Sequence, residues 1–150
     1  MAATVIASAP LALAQATTSA GEAALADGTP IKGDAVYKAF NEKAGIDRLT
    51  DDFVHRITTD PRIAARFQGA NLTRLTFELK AQFCYLLNGP CTYAGKDMKT
   101  AHQGMGLRNR DFNALAEDMQ KSMDAEHVPF WAQNQLMAKL APMQHAVVTK

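Results

Sequence analysis

Four histidines and two cysteines are the residues of this chain best suited to hold a metal or do redox chemistry, and one of them has an unusual setting. His102 lies in MKTAHQGMGL, between a stretch with helical spacing (Met98, Ala101, Met105) and the glycines Gly104 and Gly106. Glycine costs about 1 kcal/mol in a helix interior, so no long helix is expected to run through this stretch. A histidine on a short apolar element either packs in the core or serves as a ligand through a neutral ring nitrogen. The other three are weaker candidates. His55 stands beside Arg56 on the charged side of its helix, His127 in the connection AEHVP, and His145 near the C-terminal end; all are expected to be solvated. Cys84 and Cys91 flank an Asn-Gly-Pro turn, without the spacing of a zinc site or of a covalent cofactor attachment. They are either a disulfide, worth about 2–3 kcal/mol in an oxidising compartment, or two small buried thiols.

The elements that must position these residues are helical. Asp34 is placed to cap a short helix through Tyr37 and Phe40 that stops near Ala44-Gly45. Ile46, Leu49, Phe53, Val54 and Ile57 then recur at helical spacing. Pro61 opens a short piece ending near Phe67-Gln68-Gly69. Asn71 is a good N-cap for a helix whose stripe is Leu72, Leu75, Leu79, Phe83 and Leu86, ended by Asn88-Gly89-Pro90. Residues 91–108 are too broken for a long helix. A further amphipathic run (Phe112, Leu115, Met119, Met123) begins at Asn109 or Asp111. The final one opens near Pro129 with Phe130, Met137, Leu140, Met143 and Val147 on one side, and Pro142 is expected to kink it. No segment alternates as a strand does, so the fold class is all-α.

At 150 residues, with 47% hydrophobic residues and a formal net charge of +1, the chain has one domain's worth of core. The charge balance gives no footprint for nucleic acid, and no apolar run is long enough to span a membrane. Residues 1–30 read differently: rich in Ala, Thr and Ser, with an apolar stretch over 2–14 and a small-x-small pattern at Ala14-Gln15-Ala16. They are either a signal peptide lacking a positively charged start, with cleavage near Ala16 and a periplasmic destination, or an Ala-rich disordered leader of a cytoplasmic protein. The folded domain is expected over 31–150.

An irregular segment that carries one histidine among apolar helices suits a planar cofactor, because a haem fills apolar space and needs one strong axial ligand. Taken together, DDFVHRITTDPRIAARF, GANLTRL, LNGPCTYAGKDMKTAHQGMGL and DFNALAEDMQKSM resemble a group I truncated haemoglobin over about residues 35–148. The resemblance implies a shortened globin fold, two helices over two, around haem b. It implies that His102 is the proximal histidine and the only protein ligand to the iron, that Phe67 packs flat on the porphyrin, and that Phe83, Tyr93 and Met98 line or edge it. Gly45 and Gly89 fall in the family's glycine motifs, with Ala44 and Asn88 replacing the first glycine of each pair. The second ring nitrogen of His102 needs an acceptor, expected to be a backbone carbonyl of the 98–102 turn.

Many members of that family hold oxygen through a tyrosine on the first long helix and a glutamine on the second. The matching positions here are Val54, after Phe53, and Leu79, with Leu75 one turn earlier. Their spacing also suits plain helix core. If they face the iron, oxygen loses a charge-assisted hydrogen bond of roughly 1.5–3 kcal/mol, and release quickens about tenfold to a hundredfold. Glu78 and Gln82 are the nearest polar side chains able to turn inward. The resemblance thus implies a carrier of diatomic gases served by an electron donor or reductase. The alternatives are a redox haem enzyme, such as one that oxidises nitric oxide, and a cofactor-free helical interaction domain.

Overall fold

The computed structural model describes residues 28–150, and among these every regular element is helical. The leader reading concerns residues that lie almost wholly outside this range. In chain order the helices are α1 (Ala35–Ala39), α2 (Glu42–Thr59), a 3-10 turn (Ala64–Phe67), α3 (Leu72–Leu86), α4 (Met98–His102), α5 (Asn109–Ala125), α6 (Phe130–Leu140), a second 3-10 turn (Ala141–Met143) and α7 (Gln144–Val147). Helix α2 is central, lying against α3 on one side and α5 on the other. Its buried stripe of Ile46, Leu49, Phe53 and Ile57 joins Phe83, Leu86, Met119, Met123 and Leu136 in one core. Thr50, fully buried in that stripe, is satisfied because its hydroxyl donates to the Ile46 carbonyl at 2.7 Å.

The first chain reversal falls earlier than the sequence suggests. It lies at Phe40-Asn41, where Asn41 and Glu42 take left-handed φ values of 58° and 57°, and Gly45 is inside α2. A Cβ on Gly45 would run into the carbonyl oxygen of the buried Phe40, so this glycine permits close approach and does not break a helix. Asp34 does not cap α1 with its side chain; the carboxylate pairs with Lys38 one turn on at 2.5 Å. Asn71 does cap α3, its Oδ1 accepting from the Arg74 amide at 3.0 Å.

The stripe along α3 is graded. Phe83, Cys84 and Leu86 are buried, Leu75 and Leu79 half-buried, and Leu72 is 39% exposed. The C-terminal half of the helix therefore lies in the core while the other half leaves an open apolar flank. At its end Asn88 takes the left-handed position (φ 63°), and Gly89 is needed for another reason. A Cβ there would lie 2.5 Å from the Tyr37 ring and 2.7 Å from Cys84 Sγ.

Cys84 and Cys91 form a disulfide, with Cα atoms 5.8 Å apart. It ties the end of α3 to the start of the loop that leads to α4. Reduction, or a Cys84→Ala/Cys91→Ala variant, is expected to lower unfolding free energy by about 2–3 kcal/mol, as loop-closure entropy gives for so short a ring. Urea melts with and without reductant check this.

The final helices differ from expectation in one respect. Phe130 and Trp131 are exposed at the start of α6, where none of the described residues covers that turn, and the buried face is Ala132, Gln133 and Leu136. The interruption expected at Pro142 is present as the second 3-10 turn. Beyond it α7 packs on α4, and the Thr149 amide donates to the Leu107 carbonyl at 3.0 Å.

Candidate functional site

Helix α4 is only five residues long, held at its start by Asp97, whose carboxylate accepts from the Thr100 amide at 2.9 Å. Thr100, first through its side chain and then its backbone, keeps the Asp97 carboxyl below the usual carboxylate range. The helix ends at His102, and Gly104 and Gly106 follow in left-handed conformations (φ 78° and 60°), as their positions in the sequence imply. His102 is half-buried. Its Nδ1 lies 2.8 Å from the Met98 carbonyl oxygen, an arrangement that fixes the ring with the proton on Nδ1. Nε2 has no hydrogen-bond partner among the described residues, so its lone pair is left for a ligand role. His55, His127 and His145 are exposed, as expected of solvated residues.

The other predicted site residues divide by burial. Phe53 and Phe83 are core residues, their ring centroids 6.1 Å apart. Phe67, Leu75, Leu79 and Met98 are half-buried and pack on the core with part of each surface left open. Val54 is 7% exposed yet not part of the contiguous core, which marks it off from its neighbour Phe53. Tyr93 donates from its hydroxyl to the Lys96 carbonyl at 2.7 Å and folds over Gly95, so it closes its own loop. Arg66 fixes the segment that carries Phe67: its guanidinium donates to Asp111 Oδ2 at 3.0 Å, and that carboxylate also accepts from the Arg108 amide at 3.0 Å.

Sequence reasoning did not identify the Arg66–Asp111 pair, because nothing local links residues 45 apart. It left Glu78 and Gln82 equivalent, and the structure separates them. Glu78 is directed to Arg74, 3.8 Å away on the same helix, whereas Gln82 is buried and its amide nitrogen lies 3.8 Å from Met98 Sδ and 4.0 Å from Met143 Sδ.

One nitrogen donor with its ring orientation fixed and apolar walls left partly open form a donor set that fits a haem, which takes a neutral imidazole on iron and apolar contacts around the ring. Arg74 and Lys99 are exposed.

Residues 35–149 match the family described as Bacterial-like globin. The group 1 truncated hemoglobin of Nostoc commune is 24% identical over 115 residues, which cover 77% of this chain and 98% of that protein. That of Tetrahymena thermophila is 28% identical over 88 residues, 59% of this chain and 73% of that protein. Among solved structures, truncated hemoglobin from Tetrahymena pyriformis in its Fe(III) form superposes with a TM-score of 0.73 at 23% identity, covering 77% of this chain and 98% of that one. The 2/2 hemoglobin of a Synechococcus species, solved with covalently attached heme, gives 0.70 at 21% identity, with the same coverages. The fold is the all-helical truncated-globin fold. The chain belongs to the bacterial-like globin family, whose members typically bind haem, and its relatives there are group 1 truncated haemoglobins.

Proposed function

We propose that this protein holds haem b through His102 and binds diatomic gases (oxygen, carbon monoxide or nitric oxide) at ferrous iron, in the manner of a gas carrier. The observation that carries this is the 2.8 Å contact between His102 Nδ1 and the Met98 carbonyl, which leaves Nε2 as a neutral donor. Haem, when bound, supplies an iron with a sixth position open to a gas. The chain supplies the rest. Phe67 and Met98 offer apolar contact for the porphyrin, Phe83 and Tyr93 edge it, and Phe53 backs the wall from the core. Val54, Leu75 and Leu79 line the side opposite His102 and keep water away from the gas.

That lining holds no positioned acid or base, since Glu78 is paired outward with Arg74. This favours gas binding over peroxide turnover, which needs a proton donor and acceptor near iron. Keeping the iron ferrous requires an electron donor or reductase as partner. Export to the periplasm, with cleavage near Ala16, is supported by the Cys84–Cys91 bond, because disulfides persist in oxidising compartments.

The test is a visible spectrum of the purified protein, ferric and then dithionite-reduced, with and without carbon monoxide. A haem b spectrum at one haem per chain that shifts cleanly with carbon monoxide is the expected result. Protein that folds but takes up no haem, even when reconstituted, would overturn the proposal.

A further inference from the structure

Gln82 is a buried primary amide with poor partners. It is 6% exposed, yet its Nε2 meets only thioether sulfurs, Met98 Sδ at 3.8 Å and Met143 Sδ at 4.0 Å. Thioether sulfur is a weak acceptor, and an amide taken from water without a firm hydrogen bond is a net cost to the fold. A leucine or methionine would fill the same space at less cost. The placement is also specific. Gln82 follows Leu75 by seven residues and Leu79 by three, so all three share one face of α3. That face carries the half-buried Leu75 and Leu79, which the proposed function sets beside the bound gas. Met98, which the amide touches, accepts the His102 Nδ1 proton at its carbonyl, so the amide lies where α3 and the His102 turn converge. Glu78, the other inward candidate of the sequence, is paired with Arg74, and Lys80, between it and Gln82, with Asp51.

We infer that Gln82 is a specificity-determining residue, the hydrogen-bond donor that this cleft offers to a polar diatomic ligand in place of a tyrosine and glutamine directly over the iron. Resting on the haem reading above, the assignment needs only a side-chain rotation in which Nε2 exchanges two weak sulfur contacts for one oxygen acceptor. Oxygen, which draws negative charge when bound to ferrous haem, gains from such a donor; carbon monoxide, less polarised, gains little. Because Gln82 stands one turn beyond Leu79, the contact is a neutral, flanking one. It adds modest retention to a pocket whose oxygen release remains fast.

The variant Gln82→Met, close to glutamine in shape, tests this in the holoprotein, with Gln82→Leu as a second substitution should the first disturb folding. The expected result is unchanged haem content and an unchanged ferrous spectrum. Oxygen release should quicken by roughly threefold to tenfold, the value of one neutral hydrogen bond. Carbon monoxide release should change by less than about twofold on the same reasoning, and the C–O stretch should move to higher frequency as the donor is lost. Oxygen release and C–O stretch both unchanged would overturn the assignment and make Gln82 a packing residue between Met98 and Met143. Failure of the wild-type protein to take up haem is a separate outcome; it would remove the haem reading and this assignment with it.

Discussion

A His102→Ala protein is expected to lose its specific haem, retaining at most a weakly held porphyrin with no histidine signature in the reduced spectrum. Among the described residues, no other histidine can take over: His55, His127 and His145 are exposed on α2, on the α5–α6 connection and on α7. Loss of a hydrogen-bonded neighbour of a ligand typically costs a metal site about 10–100-fold in affinity, so loss of the sole protein ligand should cost more than that. The fold itself should survive. His102 is half-buried, and the one hydrogen bond of its side chain among the described residues is to a carbonyl of its own short helix. Haem titration followed by absorbance measures the loss, circular dichroism checks the helices, and free imidazole should restore a histidine-like spectrum by filling the vacated position. An alanine protein that kept wild-type affinity and a histidine-ligated spectrum would assign the ligand elsewhere.

Putting polar groups at the two positions proposed to face the iron should have the second largest effect. The double variant Val54→Tyr/Leu79→Gln is expected to slow oxygen release by about tenfold to a hundredfold, since a charge-assisted hydrogen bond is worth roughly 1.5–3 kcal/mol and each 1.4 kcal/mol is a factor of ten. Carbon monoxide release should change far less. The substitution also tests which way Val54 points. A tyrosine forced into the packed core would cost about 1–3 kcal/mol through overpacking. One that enters an open cleft would cost little, and Val54 lies outside the contiguous core that holds Phe53 and Ile57. Stopped-flow oxygen release and a thermal melt together give the answer. A destabilised variant with unchanged oxygen kinetics would place Val54 in ordinary helix packing.

Much of this arrangement is legible in the sequence because it depends on local periodicity and local caps. The Ile46–Ile57 stripe sets α2, Asn71 sets the start of α3, and Gly104 and Gly106 confine the helix that ends at His102. The acceptor for His102 is foreseeable too, since a histidine at the end of a turn has its own carbonyls within reach; it is Met98 O. What the sequence hides is set by distant neighbours. Glu42 has no local reason to take a left-handed conformation, and Gly45 resembles a helix breaker until the Phe40 carbonyl is seen packed against it. Phe130 fits an apolar stripe in phase with Met137, yet among the described residues no element covers the first turn of α6. Gln82 is foreseeable as a polar side chain able to turn inward, but its burial against sulfur atoms from residues 16 and 61 places away is not.

The brace behind the His102 turn has a consequence for how the molecule opens. The segment from Gln144 to Lys150 lies against α4, its backbone tied to Leu107 through Thr149, and Gln144 donates to Asn109 at 2.9 Å. Short terminal helices are the first parts of a fold to fray, with opening energies well below that of the whole domain. Here the fraying segment is also the wall behind the turn that carries His102. Detachment of α7 would take the brace from the turn that carries His102, so on the haem reading proposed above, cofactor loss is expected to follow the grip of these seven residues more than the stability of the central α2–α3–α5 core.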